Sequence, residues 1–254
     1  MEKNREIQLF FDEMSIDRDQ SINNNPIYFY EQLMRQQAVF ELLDPHPGEC
    51  ILDVGAGNLR DSKHLFRKRV KVYSIDVSAG MILEGLRNIQ LCERPLCAQS
   101  SALALPFPSQ SFDKIFCSEV IEHIPGYEAV FSEFYRCLKS NGVLVITTPN
   151  WNSLYGLNRK MVEAGQRLVG LKPWRNHPYD NWKYPKELED GLRKNGFEIQ
   201  RWIGICYLPG FTFNLITPKS IQKVVIRITR SLEPRLRLIL AKYGYGIGVQ
   251  AIKA

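Results

Sequence analysis

Between residues 50 and 149 the chain alternates short apolar runs with stretches of helical length, and few architectures accept that order. The runs are Cys50–Val54 (CILDV), Val70–Ile75 (VKVYSI), Phe112–Cys117 (FDKIFC) and Gly142–Thr147 (GVLVIT). Between them lie Leu59–Lys68, Ala79–Leu91 and Tyr127–Leu138. Parallel strands must be joined by a crossover of a dozen or more residues, usually a helix. Strand–helix repetition therefore predicts an α/β fold with a parallel sheet and helices on both faces. At 254 residues the chain is expected to form one domain with attached segments, and 44% apolar with 24% charged residues excludes collagen-like and disordered classes.

Around this core the sequence divides into four parts. Residues 1–47 read as an amphipathic helical cap interrupted by the turn-like SINNNP at Ser21–Pro26. Residues 48–203 form the core and include an irregular cap segment, 150–184, rich in Trp, Asn, Pro and Tyr. That part closes with a short helix at Pro185–Lys194 and a strand at Phe197–Ile203. Residues 204–243 are an insertion whose helical part, 219–243, is expected to be split by Pro234. Residues 244–254 suit a final edge strand.

The six cysteines form no C-x-x-C pair, so free thiols in a reducing, cytoplasmic compartment are expected. The charged MEKNREIQLFFDEM start lacks the apolar core of a leader, and no run of 18 apolar residues is present.

The loop ILDVGAGNLR (Ile51–Arg60) follows the first strand: Asp53, then Gly55 and Gly57, then a helix start. In open α/β sheets ligands bind beyond the strand ends, and glycine lets backbone approach them. Asp76, 19 residues past Gly57 in VYSIDVS, is placed to accept both hydroxyls of an adenosine ribose. A dinucleotide fingerprint would require glycine at position 60, where Arg60 stands. The third glycine admits a pyrophosphate, so a phosphate-free, cationic nucleoside fits better. S-adenosylmethionine (AdoMet) is one, and Asp53 offers its cation a carboxylate. A tight strand-to-helix turn would use the same glycines without any ligand.

Residues 100–126, SSALALPFPSQSFDKIFCSEVIEHIPG, narrow the choice. With LDVGAG, IDVS and LKSNGVLVITTPN they resemble the class I AdoMet-dependent methyltransferases over about residues 40–200. In motif spacing the chain is most similar to the ubiquinone-biosynthesis O-methyltransferases. The resemblance implies a Rossmann-like seven-stranded sheet with the last strand antiparallel. It also implies AdoMet contacts from Asp53, Gly55, Ala56, Gly57, Asp76 and Val77, from Ser101, Ala102 and Leu103 at the adenine, and from Ser118 beside the methionine part. Two positions depart from the pattern: Leu59 replaces a third glycine, and Ser101 an acidic residue.

Glu119, Glu122 and His123 stand at i, i+3 and i+4, one face of a helix. Such a face can hold a divalent metal that grips paired oxygens, or present His123 as a base; it is equally an ordinary helix start. The E-x-x-E-H pattern resembles a stretch associated with metal in the ubiquinone enzymes. His177, eight residues before Pro185 in HPYDNWKYPKEL, matches a second segment of those enzymes, which implies a base or an acceptor contact. The aromatics Trp151, Tyr155, Trp174, Tyr179, Trp182 and Tyr184 wall a ring-shaped acceptor or form the core of the cap.

Residues 219–243 hold seven Lys and Arg against Glu233, in a chain of net charge +6. Ile221, Val224, Val225, Ile228 and Leu232 share one helical face, and Lys223, Arg227 and Arg230 another. This helix either docks on its own domain or lies peripherally at an anionic membrane surface. No aromatic side chains interleave with the charges, so nucleic acid is not expected as a partner. The function expected is methyl transfer from AdoMet to a small-molecule acceptor, at an oxygen of a quinone-like, phenolic or lipid-like compound. The alternatives are C- or N-methylation of a sugar, amino-acid or polyketide intermediate, or a non-catalytic AdoMet-binding scaffold.

Overall fold

The computed structural model describes residues 2–14, 25–65, 68–89, 95–171, 178–207 and 217–254. Seven strands form one sheet: β1 (Cys50–Val54), β2 (Lys71–Asp76), β3 (Leu96–Gln99), β4 (Phe112–Ser118), β5 (Leu138–Pro149), β6 (Phe197–Ile205) and β7 (Gly246–Lys253). Their order is β3-β2-β1-β4-β5-β7-β6. Strands β1 to β5 pair in parallel, and β7 runs antiparallel to both β5 and β6. Among the described residues eight α-helices accompany them: α1 (Glu2–Met14), α2 (Pro26–Leu43), α3 (Ser62–Leu65), α4 (Ala79–Arg87), α5 (Glu128–Cys137), α6 (Leu154–Leu168), α7 (Pro185–Lys194) and α8 (Lys219–Ile239). This is the expected mostly parallel, Rossmann-like sheet.

The core has two layers because neighbouring strand residues point to opposite faces. Leu52, Val54, Ile115, Leu144 and Ile146 face Phe131 and Phe134 of α5 and Leu188 and Leu192 of α7. Ile51, Val72, Phe116 and Val145 face Ile27, Tyr30, Met34 and Leu42 of α2. The start of α2 is set by Asn25, whose side chain accepts from the backbone N–H groups of Ile27 and Tyr28 at 3.0 and 3.3 Å, with Pro26 at the first helical position.

Four local expectations are corrected. Strand β7 is internal, not an edge; β3 and β6 are the edges. A Cβ on Gly248 of β7 would stand 2.7 Å from Leu42 Cδ1. Glycine there admits α2 onto the sheet. Residues 154–168, expected to be irregular, form α6. Ser153 caps it by accepting from Gly156 N–H at 2.8 Å, and a Cβ on Gly156 would stand 2.7 Å from Trp151 O. The Trp, Asn, Pro and Tyr around it obscured the helical pattern. Helix α8 runs unbroken through Pro234. The lost bond would have gone to the carbonyl of Arg230, on an exposed side of the helix where water can replace it. The helix expected over 59–68 reduces to turns and α3, with residues 66–67 outside the described set. The seventh strand of the expected sheet, β3, was not located from the sequence; its four residues are mostly exposed and carry no alternating pattern.

Candidate active site

The C-terminal ends of β1, β2, β4 and β5 open into a cavity of about 410 Å³, roofed by α1, α2 and α6. At its floor the backbone turns sharply out of β1. Gly55 and Gly57 have φ of 74° and 51°, and a Cβ on Gly55 would fall 2.2 Å from Val120 Cγ2. The N–H groups of Gly55 and Ala56 both donate to the carbonyl of Ile75, at 2.8 and 2.9 Å. This binds the loop to β2. Leu59 has a φ of 60°, the left-handed conformation that a glycine would adopt freely, and its side chain is fully buried. Strain of about 1–2 kcal/mol is thus offset by burial of a leucine, about 1.5–3 kcal/mol.

Asp76 ends β2 with both carboxylate oxygens engaged. Oδ2 accepts from Gly57 N–H at 2.7 Å and Oδ1 from Ser78 N–H at 2.8 Å. Each oxygen keeps lone pairs for a further donor. Asp53 is buried and accepts from the Ser62 hydroxyl at 2.5 Å, and burial pushes its carboxyl well above the usual range. Val77, Ser101, Ala102 and Leu103 border the same cavity, as does Ser118, whose hydroxyl lies 2.9 Å from that of Thr147. All ten residues expected around a cofactor therefore meet at one cavity, although they come from four separate stretches of chain.

The E-x-x-E-H stretch is not one helical face. Glu119 sits at the end of β4 with a φ of 57°, and a 3-10 turn follows at Ile121–His123. Glu119 accepts from the Thr147 hydroxyl, and Glu122 Oε2 from the Thr148 hydroxyl, both at 3.1 Å. His123 Nδ1 lies 3.0 Å from the carbonyl of Tyr179, and Nε2 lies 3.7 Å from Glu122 Oε1. Among the described residues no group of three His, Cys, Asp or Glu side chains converges to hold a metal ion. All three side chains border the cavity without forming such a group. The other histidine singled out from the sequence, His177, lies outside the described residues, as does Trp174.

The roof adds groups that the motifs did not mark. Glu31 and Arg35 stand one turn apart on α2 and line the cavity. Arg35 Nε–H is buried with no acceptor among the described residues. Charged residues inside the buried period of α2 were the available signal. On α6, Arg159 pairs with Glu163 at 2.9 Å and Asp180 at 2.8 Å and lies 4.5 Å from the Trp182 ring centre. Tyr155 and Trp182 both line the cavity and also pack together at 5.7 Å, so these aromatics are at once wall and core.

The electrostatics are one-sided. Eight carboxyl side chains line the cavity (Glu31, Asp53, Asp61, Asp76, Glu119, Glu122, Glu163 and Asp180) against the three arginines Arg35, Arg60 and Arg159. Burial raises Glu119 to about 7 and Glu31 and Glu122 to about 8, helped at Glu31 by the charge of Glu119. Such a wall gains from a cationic ligand, because a positive charge favours the ionised carboxyl.

A family model described as a methyltransferase domain matches residues 52–146. The ubiquinone biosynthesis O-methyltransferase of Xylella fastidiosa (strain 9a5c) is 32% identical over 170 residues, covering 65% of this chain and 67% of that protein. The mitochondrial ubiquinone biosynthesis O-methyltransferase of Bos taurus is 26% identical over 195 residues, covering 72% of this chain. The chain spans about half the length of that mammalian relative, 50% of it. Among solved structures, magnesium protoporphyrin IX methyltransferase from Synechocystis PCC 6803 with bound SAH superposes with a TM-score of 0.68. It is 16% identical, and the match covers 99% of this chain and all of that one, so it speaks for the fold.

Proposed function

The chain belongs to the class I AdoMet-dependent methyltransferases, and from that membership we propose that it transfers a methyl group to an oxygen of a quinone-like or phenolic small molecule. One observation carries the reading. The cavity at the strand ends joins an oriented, phosphate-free nucleoside cradle to an acidic wall.

AdoMet, when bound, supplies a methyl group already activated for displacement by its positive sulfur. The rest falls to the chain. Asp76, held by two backbone N–H groups, accepts from the ribose hydroxyls. Gly55, Ala56 and Gly57 give the nucleoside room, and Ser101, Ala102 and Leu103 border the adenine. Arg35 donates to the carboxylate of the methionine part, which satisfies its buried Nε–H. Asp53, Ser118 and Glu119 stand toward the cationic centre.

His123 is the proposed base. Its Nδ1–H donates to the Tyr179 carbonyl, so Nε2 carries the lone pair in the neutral ring. Nε2 takes the proton from the acceptor hydroxyl, and Glu122 beside it stabilises the imidazolium. Helices α1, α2 and α6 exclude water from this end. Residues 219–243 meet a membrane surface peripherally, which brings a lipid-soluble acceptor within reach; no described helix is long and apolar enough to cross a membrane.

The test is incubation of the purified protein with methyl-labelled AdoMet and a lipid extract, with the product identified by mass spectrometry. A labelled O-methyl ether on a phenolic or quinol ring is expected. No S-adenosylhomocysteine formation, or label on nitrogen or carbon, would refute the reading.

A further inference from the structure

Helix α8 is turned inside out. Its polar residues Gln222, Thr229 and Glu233 are buried against the domain, at spacings of seven and four. Glu233 accepts from the Tyr30 hydroxyl of α2 at 3.0 Å and from the Cys206 N–H at the end of β6 at 2.8 Å. Gln222 donates to the Thr217 carbonyl at 2.9 Å. These bonds set the helix rotation. They leave Ile221, Val224, Ile228 and Leu232 pointing outward, 49%, 55%, 55% and 45% exposed. Of the apolar face expected from the sequence, Val225 alone packs partly onto the core.

The cations on the neighbouring face are exposed as well. Lys219, Lys223, Arg227, Arg230 and Arg235 are all exposed, and Glu233, the one carboxylate in Lys219–Ile239, is turned inward. Beside this face, α2 and α8 enclose a groove of about 400 Å³. Its floor is Phe29, Leu33 and Ile226, and Lys223 and Arg230 stand at its rim. Tyr28, the residue before Phe29, lines the main cavity.

We propose that the outward face of α8 and the α2–α8 groove dock on an anionic bilayer, the groove taking one acidic phospholipid with its phosphate between Lys223 and Arg230. Aliphatic side chains framed by cations on a helix with no exposed carboxylate complement a surface that is apolar inside and negative at its boundary. Nucleic acid has no use for an isoleucine and leucine stripe that offers no ring for stacking. Tyr28 and Phe29, consecutive on α2, connect the wall of the methyl-transfer cavity to the groove. This inference names the lipid partner of the membrane contact proposed above and rests on that contact.

The experiment is co-sedimentation of the chain with phosphatidylcholine vesicles and with equal phosphatidylcholine–phosphatidylglycerol vesicles, at low and high salt. The variants are Ile228→Asp/Leu232→Asp, Lys223→Glu/Arg230→Glu and, as a control of equal charge change, Lys186→Glu/Lys194→Glu on α7. Binding confined to the acidic vesicles is expected, weakened by salt, at least about tenfold lower in the first two variants and unchanged in the control. Equal binding to both vesicle types, equal binding by all variants, or no binding overturns the proposal. A self-association lost in Ile228→Asp/Leu232→Asp would assign the face to a second copy and also overturn it. Calorimetric uptake of S-adenosylhomocysteine separates the two readings. Vesicle binding lost with uptake intact sinks the lipid site alone, whereas absent uptake sinks the methyltransferase reading.

Discussion

The two ends of the cavity are built from different materials. At the end proposed for the nucleoside the backbone does the positioning: two left-handed glycines, paired N–H bonds to the Ile75 carbonyl, and an aspartate clamped by the N–H groups of Gly57 and Ser78. At the acceptor end side chains from distant elements meet: Glu31 and Arg35 from α2, Tyr155 and Arg159 from α6, and Glu119 to His123 after β4. One end is a short-range consequence of strand and turn, and the other exists only once helices 100 residues apart have packed. Turnover chemistry and donor affinity should therefore separate cleanly.

The sharpest break lies at the acceptor end. His123→Asn keeps an N–H for the Tyr179 carbonyl and removes the basic nitrogen. Steady-state kinetics should show kcat lower by about 10²–10⁴-fold and calorimetry a donor Kd within about threefold of wild type. A matching loss of donor affinity would merge the two ends. Next comes Asp76→Ala, which strips both loop bonds and the ribose acceptor. At about 1.5–3 kcal/mol for each charged hydrogen bond, titration should find donor affinity at least about 100-fold weaker. Retained affinity would show that the cradle is not what holds the nucleoside.

Smaller effects refine the same division. Leu59→Gly relieves a left-handed strain but empties a buried site, so urea denaturation should register a net loss of about 1–2 kcal/mol with little change in donor affinity. The least effect concerns protons. Glu119 titrates near 7 and Glu31 and Glu122 near 8, while the unfolded chain releases such protons near 4.5. Stability of the unliganded protein therefore falls as pH climbs from about 4.5 to about 8, because the unfolded state binds fewer protons in that window. A cationic donor favours the ionised carboxyls. Its binding at neutral pH should release protons, seen as a dependence of calorimetric enthalpy on buffer ionisation heat, and should tighten by less than tenfold toward pH 8. Equal enthalpies in all buffers would contradict the acidic wall.

The same division explains what could be read from sequence. The glycine loop and Asp76 are local and stood out through residue type and spacing, whereas the Ser101–Leu103 turn came only from the family resemblance. Period also revealed α2 and α7. It failed where a residue served something distant. The internal place of β7 was one such case, because Gly248 makes room for Leu42 on α2, which is far off in sequence. The period of α8 showed that two faces exist but not which one turns inward. That choice is made by Tyr30 and Cys206, which meet Glu233 only in the folded chain. Glu31 and Arg35 escaped notice because a charge within a buried helical face has no motif, only a neighbourhood.

The position of β7 has a consequence for biosynthesis. Among the described residues β6 pairs with β7 alone, and β7 slots between it and β5. While the ribosome still holds Gly246–Lys253, β5 exposes a bare edge and Phe197–Ile205 has nothing to pair with. Such edges recruit other nascent chains. A chain cut ahead of Gly246 should therefore go to aggregates rather than leave a smaller working enzyme.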